Sequence, residues 1–322
     1  MHDTTPSGHR PHLTYLHKFA WPSLPTLFKA LAAVLAAVLT ACTTTPTSPV
    51  ITPTQPPAAV AKRLPKIGLA LGGGAVRGFA HVGVIAALEE AGIKPDMVVG
   101  TSAGSLVAAI YASGKNAAQL QQAAMAMEEA DITDWTLPFF GRGMLRGEAL
   151  ARYMNTQVNN KLIESMTIPL GIVATDLRTG QGALFRQGDT GMAVRASSAV
   201  PSVFNPVKIG AAEYVDGGLV SPVPVKYARQ MGAELVIAVD ISSAPEGNAA
   251  DSQLQILLQT FAIMGKTINS YELKDAELVV RPALVGVKSG DFTAKRRAID
   301  AGKLAMQQAM PQLKALIEAK SK

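Results

Sequence analysis

From Lys66 onward, short continuous apolar runs alternate with longer stretches in which apolar residues recur at helical spacing. The runs at 67–71, 97–99, 168–174, 235–239 and 278–281 lack the polar alternation of a half-exposed strand. Such runs predict strands buried on both faces. Between them, helices are predicted from 79 through 91, over 105–113 with Gly114 as a stop, over 117–130 behind an Asn116 cap, and over 147–157. Further helices are expected over 190–198, 224–231, 253–273, 293–310 and 311–319, with Pro311 at a break or first turn. A returning strand at 182–186 and a hairpin at 207–215 complete the pattern. The alternation predicts an α/β fold with a mainly parallel sheet covered by helices on both faces.

The chain before Lys66 reads differently. Residues 1–29 are polar with scattered basic groups, and 30–40 is a small-residue apolar run. That run is too short to span a bilayer and suits the apolar region of a signal peptide. It ends Leu39-Thr40-Ala41-Cys42, which resembles a bacterial lipobox, and Cys42 is the only cysteine of the chain. Residues 43–65 are rich in Pro, Thr and Ser, a composition that forms an extended tether rather than a core. The expected organisation is a lipoprotein signal peptide over 1–41, a lipidated Cys42 with its tether over 42–65, and a hydrolase domain over 66–322.

Charge and composition narrow the chemistry. The chain has 322 residues, 48% of them hydrophobic, and a formal charge of +6. No dense basic patch with interleaved aromatics points to nucleic acid. The mild excess of cations favours an anionic membrane surface. Four of the five histidines precede residue 41, which leaves His81 alone in the folded part. With one histidine and one cysteine, a His/Cys metal site is not expected.

Two strand–turn–helix units stand back to back over 66–114. The second turn, Gly100-Thr101-Ser102-Ala103-Gly104, fits G-x-S-x-G, the nucleophile elbow. The first, Gly72-Gly73-Gly74-Ala75-Val76-Arg77-Gly78, sets backbone N–H groups and a helix start beside it. Such groups can receive a developing oxyanion. As a dinucleotide loop this turn fails twice: Arg77 takes the place of the third glycine, and the next strand ends in Gly100 rather than an acid. No histidine follows Ser102, which excludes a triad in the order Ser, acid, His. His81 lies in a buried-looking stretch and reads as structural. An aspartate must then serve the serine. Asp216-Gly217-Gly218 after the hairpin, Asp176, Asp189 and Asp240 all qualify by sequence, although an Asp-Gly pair is ordinarily turn chemistry.

The 72–78 loop, the 100–104 elbow and Asp216-Gly217-Gly218 together resemble the three signature motifs of the patatin-like phospholipases, in the family's order. The resemblance covers about Lys66 to the C-terminus. It implies a serine acyl hydrolase acting on membrane lipid esters, with Ser102 as nucleophile and Asp216 as base. It implies an oxyanion hole from Gly73, Gly74 and Ala75, with Arg77 fixing the loop or meeting an anionic head group. Neither metal nor organic cofactor is implied. Thr43 is not an acidic retention residue, so the resemblance to lipoproteins favours the bacterial outer membrane. A non-catalytic lipid-binding lipoprotein and an esterase or thioesterase on soluble esters stay open. The stretch 131–146, with Trp135, Phe139 and Phe140 beside Arg142 and Arg146, is either an interfacial patch or a small core, with core favoured.

Overall fold

The computed structural model describes residues 62–136, 142–245 and 250–322. The stretch expected to be a signal peptide, Cys42, most of the expected tether, Phe139 and Phe140 lie outside the described residues. Those described belong to one compact unit, Ala61–Lys322.

Ten strands and nine α-helices follow in order among the described residues. They are β1 (Ile67–Leu71), α1 (Phe79–Glu90), β2 (Met97–Thr101), α2 (Ala103–Ala112), α3 (Ala117–Ala126), α4 (Glu129–Ile132) and β3 (Gly143–Leu145). Then come α5 (Glu148–Gln157), β4 (Leu170–Asp176), β5 (Gly182–Phe185), α6 (Thr190–Ser197), β6 (Ser202–Phe204), β7 (Val207–Ile209) and β8 (Ala212–Asp216). The chain closes with α7 (Val225–Gln230), β9 (Leu235–Val239), α8 (Gln253–Glu272), β10 (Leu278–Val280) and α9 (Lys295–Lys320). As expected, Asn116 caps α3: its side chain accepts the Gln119 N–H at 2.9 Å, and Gln119 returns the favour at 3.0 Å.

Eight strands form the main sheet in the order β10-β9-β1-β2-β4-β8-β7, with β5 also on β4. The run from β10 to β4 is parallel, and β5, β8 and β7 add an antiparallel margin. The period of two in each strand divides the interior into two layers. Leu69 and Leu71 of β1 enter the larger core with Ile85 of α1, Ala108 of α2 and Ile299 of α9. Ala70 points the other way, into a smaller core with Val225 and Ala228 of α7. Apolar residues on both faces are therefore why these strands read as unbroken runs.

Two elements differ from the sequence expectation. Pro311 neither breaks nor starts a helix; it lies inside the continuous α9. Its missing N–H and ring are tolerated because the helix is held on both sides of it, by buried Ile299 and Met306 before and Leu313 after. Within 131–146, β3 pairs with β6 in a small parallel sheet. Three-residue strands are too short for alternation to show. Trp135 is not core: it is 69% exposed, with only an isolated bridge to Leu145. Arg142 is paired with Glu213.

Helices α1 and α9 touch backbone to backbone. A Cβ at Gly83 would fall 1.9 Å from the Ile299 carbonyl oxygen, and one at Gly302 would fall 1.9 Å from that of Ala80. Side chains cannot be added there without separating the helices. Gly302→Val should therefore cost about 1–3 kcal/mol or more of stability, the range for overpacking. Urea unfolding reads this as a lower midpoint; an unchanged midpoint would contradict so close a contact.

Candidate active site

The elbow forms because β2 runs straight into α2 with one residue between them. That residue, Ser102, has φ 51° and ψ −125°, a conformation L-residues rarely adopt. The flanking glycines are needed for space rather than for unusual dihedrals. A Cβ at Gly100 would meet the Gly104 carbonyl oxygen at 2.5 Å, and one at Gly104 would meet that of Leu71 at 2.1 Å. Strand, turn and helix are thus pressed together, and the serine is left at the carboxyl end of the sheet.

Strand β4 brings the partner in. Its Val173 stands opposite Thr101, and the next residue, Ala174, stands opposite Asp216. The Ser102 hydroxyl donates to Asp216 Oδ2 at 2.7 Å. The Gly218 N–H donates to Asp216 Oδ1 at 2.7 Å, and Thr175 Oγ1 donates to the Asp216 carbonyl at 2.8 Å. Gly217 has no room for a side chain, since a Cβ would lie 2.2 Å from the Val173 carbonyl oxygen. Asp216 is buried, and burial pushes its carboxyl up to about 6, against the opposing hydrogen bonds from Gly218 and Ser102. The three other aspartates are occupied elsewhere. Asp240 pairs with Arg281 at 3.2 Å, Asp189 caps α6, and Asp176 accepts the turn N–H groups of Arg178 and Thr179.

The glycine loop lies against the serine, with the Cβ position of Gly73 3.1 Å from Ser102 Cβ. Its amides are not equivalent. The Gly73 N–H donates to the Pro222 carbonyl at 2.9 Å, which removes it from the expected oxyanion donors. Those of Gly74 and Ala75 have no acceptor among the described residues. Ala75 is itself strained at φ 51°. The Ser102 N–H donates to Ser197 Oγ at 2.9 Å, and Ser197 passes on a bond to the Val173 carbonyl at 2.5 Å. Ser197 and Thr175 carried no sequence signal, because they act through elements distant in the chain.

The Arg77 N–H donates to the Gly74 carbonyl of its own loop at 3.2 Å, so its backbone rather than its side chain ties the loop. Its Nε is buried without a partner, and burial lowers its pKa from the usual value, an effect that Asp240 opposes. It lines a cavity of about 520 Å³ with Gly74, Ser102 and Asp216. No group of His, Cys, Asp and Glu among the described residues is arranged to hold a metal ion.

The family model for patatin-like phospholipases matches residues 69–229, half of the chain, and spans both Ser102 and Asp216. The chain belongs to the patatin-like phospholipase family. Over 203 residues it is 34% identical to an uncharacterized NTE family protein of Mycobacterium tuberculosis, covering 61% of this chain and 56% of that protein. It is 35% identical over 189 residues to patatin-like phospholipase domain-containing protein 6 of Homo sapiens, covering 56% of this chain and 14% of that protein. The chain thus spans about half the length of the first relative and a small part of the second. VipD from Legionella pneumophila shares the fold, with a TM-score of 0.51 at 14% identity over 76% of this chain and 66% of that one.

His81 stands apart from the serine. Its ring is fully buried, with Nε2 2.8 Å from the Gly72 carbonyl, which can only accept. Burial drives its pKa down to about 4, so it is neutral in the fold. An unfolded histidine titrates near 6.5. The stability conferred by neutral His81 is therefore complete above pH 6.5 and is lost as pH falls from there toward 4. His81→Gln should flatten that acid-side loss and retain turnover. Unfolding midpoints between pH 4 and 7 test this, and an unchanged slope would refute it.

Proposed function

We propose that this protein is a serine acyl hydrolase that cleaves carboxylic ester bonds of membrane lipids through a Ser102–Asp216 dyad. The observation that carries the reading is the 2.7 Å bond from the Ser102 hydroxyl to a buried carboxylate, made in a strained elbow beside two unpartnered amides. Ser102 Oγ attacks the ester carbonyl carbon as its proton passes to Asp216. The carbonyl oxygen takes the negative charge, received by the N–H groups of Gly74 and Ala75, with that of Ala103 at the start of α2. The bond to the leaving oxygen then breaks, and Asp216 gives that oxygen the proton, leaving an acyl-serine. Water repeats the sequence: Asp216 takes its proton, its oxygen joins the acyl carbon, and Ser102 Oγ leaves and regains the proton.

A carboxylate is a weak base in water, with an ordinary pKa of about 3.9. Burial raises the basicity of Asp216, and a base poised nearer neutrality is better matched to the serine proton. Arg77, which lines the same cavity, supplies a cation for a phosphate on the leaving group. A lipid rather than a soluble ester is favoured by α8. Its Ile256, Leu258, Ile263 and Met264 are exposed, and Leu258 and Met264 line the rim of that cavity. No helix among the described residues is long and apolar enough to cross a membrane.

Ser102→Ala and Asp216→Asn should each lower turnover by about 10³-fold or more, and the double variant should be little worse than either, as for groups that act as one unit. The acid limb of kcat/KM should fall as pH drops through about 6, because the base must be ionised. Full activity in Asp216→Asn would sink the dyad.

We also propose that Cys42 carries the lipid anchor of a bacterial envelope lipoprotein, with the outer membrane as its destination. The motivation is the apolar run that ends at this only cysteine. Cys42→Ala should lose labelled fatty acid and leave the membrane fraction. A wild-type chain that takes up no label in a lipoprotein-processing host would count against the anchor.

A further inference from the structure

Helix α8 buries two residues, and both are polar: Asn269 and Glu272. Burying a carboxylate is unfavourable unless hydrogen bonds replace its water, and burial raises the Glu272 pKa from its usual value. One oxygen of Glu272 takes two such bonds. Its Oε1 accepts the Ser221 hydroxyl at 2.6 Å and the Lys226 N–H, in the first turn of α7, at 3.2 Å. Apolar residues in place of a buried charge are often neutral or stabilising, so stability alone gives no reason for this carboxylate.

Ser221 is where the three motifs of the site converge. Its N–H donates to the Gly217 carbonyl at 2.9 Å, next to Asp216. Its carbonyl accepts the Thr101 hydroxyl at 2.9 Å, one residue before Ser102. The following carbonyl, of Pro222, accepts the Gly73 N–H at 2.9 Å, just ahead of the Gly74 and Ala75 amides. The Asp-Gly-Gly turn, the elbow and the glycine loop are thus joined through two adjacent residues. The remaining polar group of Ser221, its hydroxyl, goes to Glu272. Ser221 is fully buried, so bulk water does not compete for these bonds.

We infer that Glu272 is a positioning residue for acyl transfer: by clamping Ser221 it sets the Ser102 hydroxyl against the loop amides that receive the oxyanion. The inference rests on the acyl hydrolase reading, whose reacting groups Glu272 orders without touching them. Developing charge is stabilised by donors that are already in place, and a misplacement of about 1 Å can cost about 10²-fold in rate. Released from Glu272, Ser221 and Pro222 can shift between the Asp-Gly-Gly turn and α7, and the Thr101 and Gly73 bonds shift with them. The role needs an acceptor and not a charge, so a glutamine can fill it. Asn269, one turn earlier, supplies the contrast: it donates to the Ser242 hydroxyl at 2.9 Å, outside the three motifs.

The test uses the full chain and p-nitrophenyl butyrate. Glu272→Ala should lower kcat by about 10- to 100-fold with KM moved by less than about twofold, and Glu272→Gln should recover kcat to within about threefold of wild type. Ser221→Ala should lower kcat in the same direction, and it carries the test if Glu272→Ala does not fold. The Ser221→Ala, Glu272→Ala double variant should be little worse than the worse single one, as for groups that act as a unit. Asn269→Ala loosens the same helix and should leave kcat within about twofold. If Glu272 only held the helix down, Asn269→Ala would lose as much kcat as Glu272→Ala, or neither would lose any; either result overturns the clamp. Hydrogen exchange reads the geometry without hydrolysis: the Gly73 amide should exchange about tenfold faster or more in Glu272→Ala, and at the wild-type rate in Asn269→Ala. Faster exchange with no ester cleaved by the wild type means that the clamp stands and the hydrolase reading fails. Esters cleaved, with kcat and Gly73 exchange both unchanged in Glu272→Ala, mean the reverse.

Discussion

The register of β4 is the constraint on which the site depends. Val173 faces Thr101 and Ala174 faces Asp216, so two successive residues of one strand hold the ends of two others. Those ends are 114 positions apart in the chain, yet their side chains meet at 2.7 Å. A slip of one residue would turn Asp216 to the opposite face of the sheet. Close contact enforces the register locally, because Gly217 lies against the Val173 carbonyl with no space for a methyl group. Ser197 adds a second tie by joining the Ser102 N–H to that same carbonyl.

Strain and burial are concentrated where these strands end. Ser102 and Ala75 both sit at positive φ without being glycine. Conformations of this kind persist only where the surroundings over-determine them, and here β2, α2 and the glycine loop leave no alternative path. The buried Asp216 carboxylate has no ion pair among the described residues; it is supported by one N–H and one hydroxyl. A guanidinium or ammonium partner would have held it ionised but weakly basic. Without one, the carboxylate keeps enough basicity to accept a proton, which is the task that histidine performs in triads. The one histidine of the described residues is spent inside α1 on the Gly72 carbonyl, where it anchors the loop from behind.

The sequence by itself determined the layered α/β architecture, because strands buried on two faces must be apolar throughout and their helices must carry caps and stops. It also determined the elbow, since strand, Gly-x-Ser-x-Gly and helix are contiguous and their geometry is local. The absence of a later histidine directed attention to aspartates. Residue pattern alone left Asp176, Asp189, Asp216 and Asp240 open and the family resemblance pointed to Asp216; the tertiary structure supplied the physical ground, by occupying the other three with a turn, a helix cap and Arg281. It also withdrew the Gly73 amide from the loop's donors and left the Arg77 Nε unpaired, since both depend on what the other end of the chain presents. Pro311, Trp135 and the short β3–β6 pair went unread for the same reason. A proline is tolerated, a tryptophan exposed or a three-residue strand paired according to packing partners that lie far along the chain, and local pattern carries no record of them.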